Sequence, residues 1–154
     1  QLSLGFNYRM NDVEAAIGLS QLGKLPRFIR GRNTVACLYD AHFKGVCSVK
    51  PLVVAEGCYS SYHLYVVRIP GLTLALKSKL VEEMRAQGVY VHVHYIPIHT
   101  QPYYRRLGFS HGDFPNAECY YHHALTLPIF PSMTNYEVEH VVTTLLRTMS
   151  RLGV

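Results

Sequence analysis

The sequence predicts an α+β fold, in which a few strands are covered by helices on one side. Helical spacing of apolar residues alternates with short β-branched stretches along the chain, and turn residues separate the two kinds of segment. The chain has 154 residues, of which 49% are hydrophobic and 16% charged. These values are typical of one globular domain that is large enough to bury a core.

The first 45 residues are predicted to be mostly helical. Asn11 and Glu14 have the spacing of a capping box, and apolar residues follow at helical intervals as far as Leu25. Pro26 has no amide hydrogen and its ring clashes with the preceding turn, so we expect a kink or break near Leu25. A second helix then runs towards Gly45.

The middle of the chain is predicted to contain two strands with a helix between them. Residues 62–69 are β-branched and aromatic and end at a Pro-Gly pair, which is typical of a strand. Apolar residues recur at helical intervals over 74–87. Valines alternate with polar residues over 89–94, which predicts a strand with His92 and His94 on one face.

The last third is predicted to contain a short helix, an extended segment and a long helix. Asp113 and Pro115 are residue types that favour a helix start, here of a short helix over 113–123. Residues 125–130 are predicted to be extended, and a capping box at Thr134 opens the final helix.

Composition argues against several classes of protein. No apolar run approaches the ~20 residues of a membrane helix, and no Lys/Arg block resembles a nucleic-acid tract, although the formal net charge is +5. The four cysteines show neither a C-x-x-C pair nor zinc-ribbon spacing, so we expect reduced thiols and a cytoplasmic location. The chain begins at Gln1, with no initiator Met and no signal-peptide pattern, and we expect it to be part of a longer protein.

One stretch, residues 91–104, contains most of the candidate chemistry, because it holds three histidines, three tyrosines and two prolines. One interpretation is a zinc site made of His92, His94 and His99. Against it, no acidic residue lies nearby in the sequence to orient these ligands, and the Tyr95–Ile98 stretch is expected to hold His99 in an extended continuation of the strand. We therefore predict no metal site.

The favoured interpretation is a polar and aromatic face that binds a sugar or phosphate. Imidazole and phenol groups hydrogen-bond sugar hydroxyls and phosphates, and their rings stack on ring faces. A third interpretation is a partly buried strand edge whose histidines are satisfied by the backbone. The side chains concerned are His92, His94, Tyr95, His99, Tyr103 and Tyr104.

The chain has no self-sufficient active site by motif alone. It contains no G-x-S-x-G elbow, no G-x-G-x-x-G and no P-loop. A second polar segment, residues 5–12, precedes the first helix, and Asn7 and Arg9 in it are candidates for contacting an anion. Polar residues are also common at such helix entries for capping alone.

Five motifs, in order, resemble the DegT/StrS-type sugar aminotransferases and together span nearly the whole chain. They are LGFNYRMNDVEAAIGLSQLGKL (4–25), YHLYVVRI (62–69), HYIPIHTQPYY (94–104), LGFSHGDFPNAECYY (107–121) and ALTLPIFPSMT (124–134). The third, fourth and fifth are most similar to the branch of UDP-sugar 4-aminotransferases that serves pseudaminic acid synthesis. Pro26 departs from the helix former usual in the family at that point.

The resemblance implies a fold, namely the C-terminal small domain of the aspartate aminotransferase-like fold (PLP fold type I). This domain has a small antiparallel sheet covered by helices. Residues 1–154 would then be a single C-terminal domain. Within it, residues 1–45 would be a helical connection from a preceding large domain, and 46–154 a sandwich-like small domain.

The resemblance also implies an activity. Members of this family are pyridoxal-phosphate enzymes that act as homodimers and move an amino group, typically from glutamate, to a 4-keto sugar nucleotide, here a UDP-linked deoxysugar. The lysine that binds the cofactor as a Schiff base lies in the preceding domain, and no lysine of this chain occurs in a matching motif. We therefore expect no catalytic residue in this chain and no transamination by the chain alone.

The resemblance assigns binding roles to particular residues. Asn7 matches an asparagine that reaches the cofactor phosphate of the neighbouring subunit. His94 and Tyr95 match the sugar-nucleotide side of the cleft, and His99 and Tyr103 match the loop that lines it.

Three alternatives remain open from the sequence. The first is that the chain is a non-catalytic interaction or pseudoenzyme fragment. The second, less favoured, is a histidine-based metal-binding module. Within the family, some members have a histidine in place of the cofactor lysine and act as sugar dehydratases, and that position lies outside this sequence.

Overall fold

The structure, a computed structural model, describes residues 5–6 and 8–154. The helices are α1 (Asp12–Leu22), α2 (Leu25–Phe43), α3 (Leu74–Ala86), α4 (Pro102–Arg106), α5 (Pro115–His123) and α6 (Asn135–Leu152), with a single 3₁₀ turn at Ile98–Thr100. The strands are β1 (Lys50–Pro51), β2 (Tyr65–Arg68) and β3 (Ala124–Leu127). The predicted α+β class is confirmed.

The three strands form an antiparallel sheet in the order β1-β2-β3. Val67 lies opposite Leu125, and both are buried in the core that the helices cover. Val66 lies opposite Thr126 on the other face, since successive residues of a strand point to opposite sides. We call this second side, which carries Val66 and Thr126, the outer face of the sheet.

The predicted strand at 89–94 is wrong as a regular strand, because only one bridge forms there. His92 exchanges two backbone hydrogen bonds with Thr126, at 2.8 and 3.0 Å, at the edge of β3. The alternation is confirmed, since Val89 and Val91 are buried while Tyr90 is exposed. Towards Tyr90, the next hydrogen-bonded pair would need the amide of residue 128. That residue is Pro128, which has no amide hydrogen.

Both predicted capping boxes are confirmed, and Pro115 is confirmed at the start of α5, but Asp113 does not cap that helix because the N-cap is Phe114. The Asn11 side chain accepts a hydrogen bond from the Glu14 amide at 2.9 Å, and the Glu14 carboxylate accepts from the Asn11 amide at 2.9 Å. Thr134 and Glu137 make the same reciprocal pair at the start of α6. The expected break near Leu25 occurs between α1 and α2.

Pro26 lies in the first turn of α2, where its missing amide has no intrahelical acceptor to lose. Prolines also explain why the expectation of an extended 95–99 segment is wrong. Pro97 precedes the 3₁₀ turn directly. Pro102 opens α4, because the fixed φ of proline is already suited to the first helical position.

The core lies between the sheet and a layer in which α2 and α3 both pack against α6. Tyr39 on α2 stacks on Tyr65 of β2, with ring centroids 4.6 Å apart. The buried hydroxyl of Tyr39 donates to the Pro128 carbonyl at 2.8 Å, and that of Tyr65 donates to Asp40 at 2.6 Å. These bonds let two large polar-tipped rings occupy the core without an unsatisfied group.

In the described part of the chain, no helix is long and apolar enough to cross a membrane. The predicted strand at 62–69 is confirmed as the shorter β2, and helices are confirmed at 74–87 and 113–123 within one or two residues. Helix α2 lies within the first 45 residues and is part of the helical layer, because its residues Val35 and Tyr39 belong to the same buried cluster as the sheet.

Candidate functional site

The outer face of the sheet holds an imidazole in a fixed position. Thr126 is buried on β3, and its hydroxyl lies 2.9 Å from Nδ1 of His94. His94 lies two residues beyond the bridge at His92, which sets its distance from Thr126. The predicted common face of His92 and His94 is confirmed, with ring centroids 5.9 Å apart.

The surroundings of His94 favour its neutral form. Partial burial of the ring lowers the pKa of His94, and the neighbouring His92 and His63 lower it further. A neutral imidazole has one donor and one acceptor nitrogen, so His94 is suited to hydrogen-bond a neutral hydroxyl as well as an anion.

Tyr95 lies next to this imidazole and is open to solvent. Its side chain is 73% exposed, and its ring meets the His94 ring edge-on with centroids 4.6 Å apart. The peptide bond between the two residues is cis. His94 and Tyr95 therefore form one contiguous polar and aromatic group at the edge of the outer face.

His99, in contrast, is buried, with 7% of its surface exposed. Its Nε2 lies 2.7 Å from Oε1 of Glu118 on α5, and its ring packs on Phe114 with centroids 4.9 Å apart. The sequence near residues 91–104 contains no acidic residue, and the carboxylate that contacts His99 comes from α5. The motif GDFPNAE contains Glu118, but nothing in the sequence pairs it with His99, which lies 19 positions earlier.

Glu118 accepts two further hydrogen bonds from the turn before α5. The Gly112 amide donates to Oε1 at 2.8 Å, and Nδ1 of His111 lies 3.4 Å from Oε2. The Gly112 amide above all, and then the His99 ring, lower the pKa of Glu118 to about 2. The carboxylate is therefore ionised across the physiological range.

Four aromatic rings line an open cavity of about 440 Å³ near the Glu118 carboxylate. The centroid distances are 4.9 Å for His99–Phe114, 6.1 Å for Phe114–Phe109 and 6.4 Å for Phe109–Tyr104. Ile98 and Ala117 complete the lining. We call this the aromatic cavity, and its volume lies within the range of small-ligand pockets.

Tyr103 stands at the edge of this group. It is 60% exposed and meets the Tyr104 ring edge-on at 5.3 Å. The structure thus arranges the predicted site residues in two groups along one segment. His94 and Tyr95 lie at the sheet edge, while His99 and Tyr103 lie on the 3₁₀ turn and α4.

The remaining candidates have different surroundings. Asn7 lies outside the described residues. Over residues 5–6 and 8–154, no group of three or more His, Cys, Asp or Glu side chains is arranged to hold a metal ion. All four cysteines are free and exposed.

Among the described residues, no lysine lines the aromatic cavity. Lys77 is buried, and its Nζ donates to the Tyr121 carbonyl at the end of α5 and sits 4.5 Å from the centroid of the Tyr121 ring. Burial lowers the pKa of Lys77 to about 8. The other lysines are exposed: Lys24, Lys44, Lys50 and Lys79.

Comparison with known proteins gives a consistent result. The family model of the DegT/DnrJ/EryC1/StrS aminotransferase family matches residues 1–146. The UDP-4-amino-4,6-dideoxy-N-acetyl-β-L-altrosamine transaminase of Helicobacter pylori is 32% identical over 152 residues, which is 99% of this chain and 40% of that protein.

Solved structures match equally well. Helicobacter pylori PseC, an aminotransferase of pseudaminic acid biosynthesis, superposes with a TM-score of 0.88 at 31% identity, over 97% of this chain and 40% of its own. Spr1654 of Streptococcus pneumoniae, a proposed sugar aminotransferase solved in its PLP form, gives a TM-score of 0.89 at 29% identity, over 94% and 37%. The chain thus spans about two fifths of the length of the relatives it matches.

Proposed function

The chain belongs to the DegT/DnrJ/EryC1/StrS aminotransferase family. From that premise we propose that it supplies the substrate-binding side of the active site in a PLP-dependent sugar aminotransferase. The proposed reaction moves an amino group, with glutamate as donor, to the 4-keto carbon of a UDP-linked deoxysugar. The relative from Helicobacter pylori, whose name specifies a UDP-linked amino sugar, supports this substrate class.

One observation carries the proposal, namely the neutral, anchored imidazole of His94 beside the exposed ring of Tyr95. Because Thr126 holds one ring nitrogen, the other nitrogen of His94 has a defined direction for a sugar hydroxyl or phosphate oxygen. The phenol of Tyr95 adds a second hydrogen-bonding group and a ring face at the same edge.

The aromatic cavity supports a nucleotide as the carrier of the sugar. A planar base can stack on the aromatic rings that line the cavity, where offset stacking adds to burial of its faces. Arg105 and Arg106 follow Tyr104 on α4, and we propose that these cationic side chains contact the diphosphate. Tyr103 and the buried ring of His99 are proposed to line this part of the cleft.

The lysines of this chain do not fit a covalent attachment of pyridoxal phosphate. The Lys77 ammonium donates to a carbonyl at the end of α5, and the other four lysines lie exposed on the surface and outside residues 91–104. We therefore propose that the cofactor lysine lies in a part of the protein that this chain does not span, and that the chain alone is inactive. Pyridoxal phosphate, when bound, supplies the electron sink for amino transfer.

We propose that this chain contributes Asn7 to the cofactor phosphate of a neighbouring subunit in a homodimer. Every side chain of α1, the helix that follows Asn7, is exposed, although Val13, Ile17 and Leu22 are apolar. Apolar side chains at helical spacing without burial are typical of a helix that packs on another domain or subunit. Four free, exposed thiols support a cytoplasmic location.

The test uses the full-length protein with pyridoxal phosphate, glutamate and a 4-keto UDP-sugar. We expect Asn7→Ala to weaken cofactor retention, measured from the absorbance of protein-bound cofactor after dialysis. We expect His94→Ala and Tyr95→Ala to raise the KM for the sugar nucleotide, and Tyr136→Ala, at an exposed position on α6, serves as the control. A folded full-length protein that neither binds cofactor nor transfers an amino group would support the pseudoenzyme alternative instead.

A further inference from the structure

We propose that Glu118 is a positioning residue for the aromatic cavity and for α4, and that it acts through His99. The inference rests on the proposed function, because it assigns Glu118 a role in binding the sugar nucleotide. Glu118 itself is set back from the surface of the cavity, with 17% of its side chain exposed, and three neighbours occupy its carboxylate.

The carboxylate joins three segments of the chain, of which the one that holds His99 is distant from α5 in the sequence. Glu118 lies on α5, His99 on the 3₁₀ turn, and Gly112 in the turn before α5. Oε1 accepts from both the His99 ring at 2.7 Å and the Gly112 amide at 2.8 Å, so one oxygen atom fixes two of these elements at once. Loss of this oxygen would leave a buried ring nitrogen and a backbone amide without an acceptor.

The consequence for binding follows from what His99 supports. Its ring packs on Phe114 and forms one wall of the aromatic cavity, and its 3₁₀ turn leads directly into α4, which carries Tyr103 and Tyr104. Nε2 of His99 points at Glu118 and is not available to a substrate. His99 therefore shapes the cleft through the position of its ring, and Glu118 determines that position.

The role depends on geometry rather than on charge, which two conservative variants separate. In Glu118→Gln the amide oxygen can take the place of Oε1 and accept from both His99 and Gly112, while the amide nitrogen faces His111. In Glu118→Asp the charge remains, but the side chain is one methylene shorter and withdraws from both donors. A positioning role predicts that Gln is tolerated and Asp is not.

The experiment measures amino transfer by the full-length holoenzyme at varied sugar-nucleotide concentration. We expect Glu118→Asp and Glu118→Ala to raise the KM for the sugar nucleotide roughly tenfold with kcat changed much less, since misplaced binding groups act on substrate binding. Glu118→Gln is expected to restore the wild-type KM. Glu139→Asp, an exposed glutamate on α6, is the matched control.

Amide hydrogen exchange tests the same contact without activity. The Gly112 amide is expected to exchange slowly in the wild type and Glu118→Gln, and quickly in Glu118→Asp. A wild-type KM in Glu118→Asp, or a Glu118→Gln variant as impaired as Glu118→Asp, would overturn the proposal. If the wild type itself transfers no amino group while the exchange pattern is as expected, the proposed function has failed and the contact stands; unchanged exchange in Glu118→Asp refutes the contact itself.

Discussion

Gly31 lies where α2 passes closest to the turn that follows β3, and Gly31→Ala tests this packing directly. A Cβ atom built on Gly31 would lie 2.5 Å from the Pro131 carbonyl oxygen and 3.0 Å from both Cα and Cβ of Pro131. Two of these contacts are with backbone atoms, which cannot rotate away as the end of a long side chain can. The helix or the turn must therefore move.

The expected cost follows from the size of the overlap. Carbon and oxygen atoms in contact normally lie about 3.5 Å apart or a little less, so relief of the closest contact requires a shift of roughly 1 Å. Overpacking of this kind costs about 1–3 kcal/mol. Since α2 carries Tyr39 into the core, the shift also disturbs the hydrogen bond from Tyr39 to Pro128. We expect a value towards the upper end of that range.

The assay is chemical and thermal unfolding of the purified protein followed by circular dichroism. For a domain of this size, a loss of about 3 kcal/mol lowers Tm by roughly 6–12 °C. Gly18→Ala is the matched control, because Gly18 is also helical and a Cβ there meets nothing within 4 Å. Equal stability of Gly31→Ala and Gly18→Ala would refute the close approach of α2 to Pro131.

Other predictions concern titratable groups and the anchored imidazole. Because Lys77 has a pKa of about 8 when folded and 10.5 as its ordinary value, the unfolded state binds more protons between these pH values. From pH 8 to pH 10, the unfolding free energy of the wild type should therefore rise relative to that of Lys77→Met, measured by denaturant titration. If the two proteins had the same pH dependence, the prediction would be wrong. Glu118 has a pKa lowered from 4.5 to about 2, so its stabilising contribution should be present above pH 4.5 and disappear as the pH falls towards 2. Acid unfolding of Glu118→Gln should lack this component, and identical acid titrations would count against the contact. Thr126→Val removes the hydroxyl that holds His94, so we expect weaker sugar-nucleotide binding by calorimetry with little change in Tm, and the opposite pattern would assign Thr126 a purely structural role.

Sequence patterns predicted most of the helical elements because their signals are local. The reciprocal hydrogen bonds at Asn11 and Thr134 connect residues three apart, so the capping boxes are readable without tertiary information. The break at Pro26 follows from the chemistry of one residue. The short helix α4 and the 3₁₀ turn before it were missed, because prolines and aromatic residues in that segment suit an extended loop equally well.

The predicted site was less accessible to sequence reasoning. The side-by-side placement of His92 and His94 followed from strand periodicity and is confirmed. The partner of His94 is 32 positions away and that of His99 is 19 positions away, and neither spacing has a local pattern. The sequence therefore placed two candidate histidines and two candidate tyrosines within residues 91–104. It did not distinguish the exposed Tyr95 and Tyr103 from the buried His99.

By itself the sequence determined the α+β class, the helix boundaries set by caps and prolines, and the family, because these depend on local chemistry and on the order of motifs along the chain. Only the tertiary structure decided which of these side chains are exposed and which are held inside the fold. Sheet register brings Thr126 to His94, and the packing of α5 brings Glu118 to His99. Burial then separates the two imidazoles: His94 is partly exposed and contacts Thr126 through Nδ1, whereas His99 is buried and directs its Nε2 to the Glu118 carboxylate.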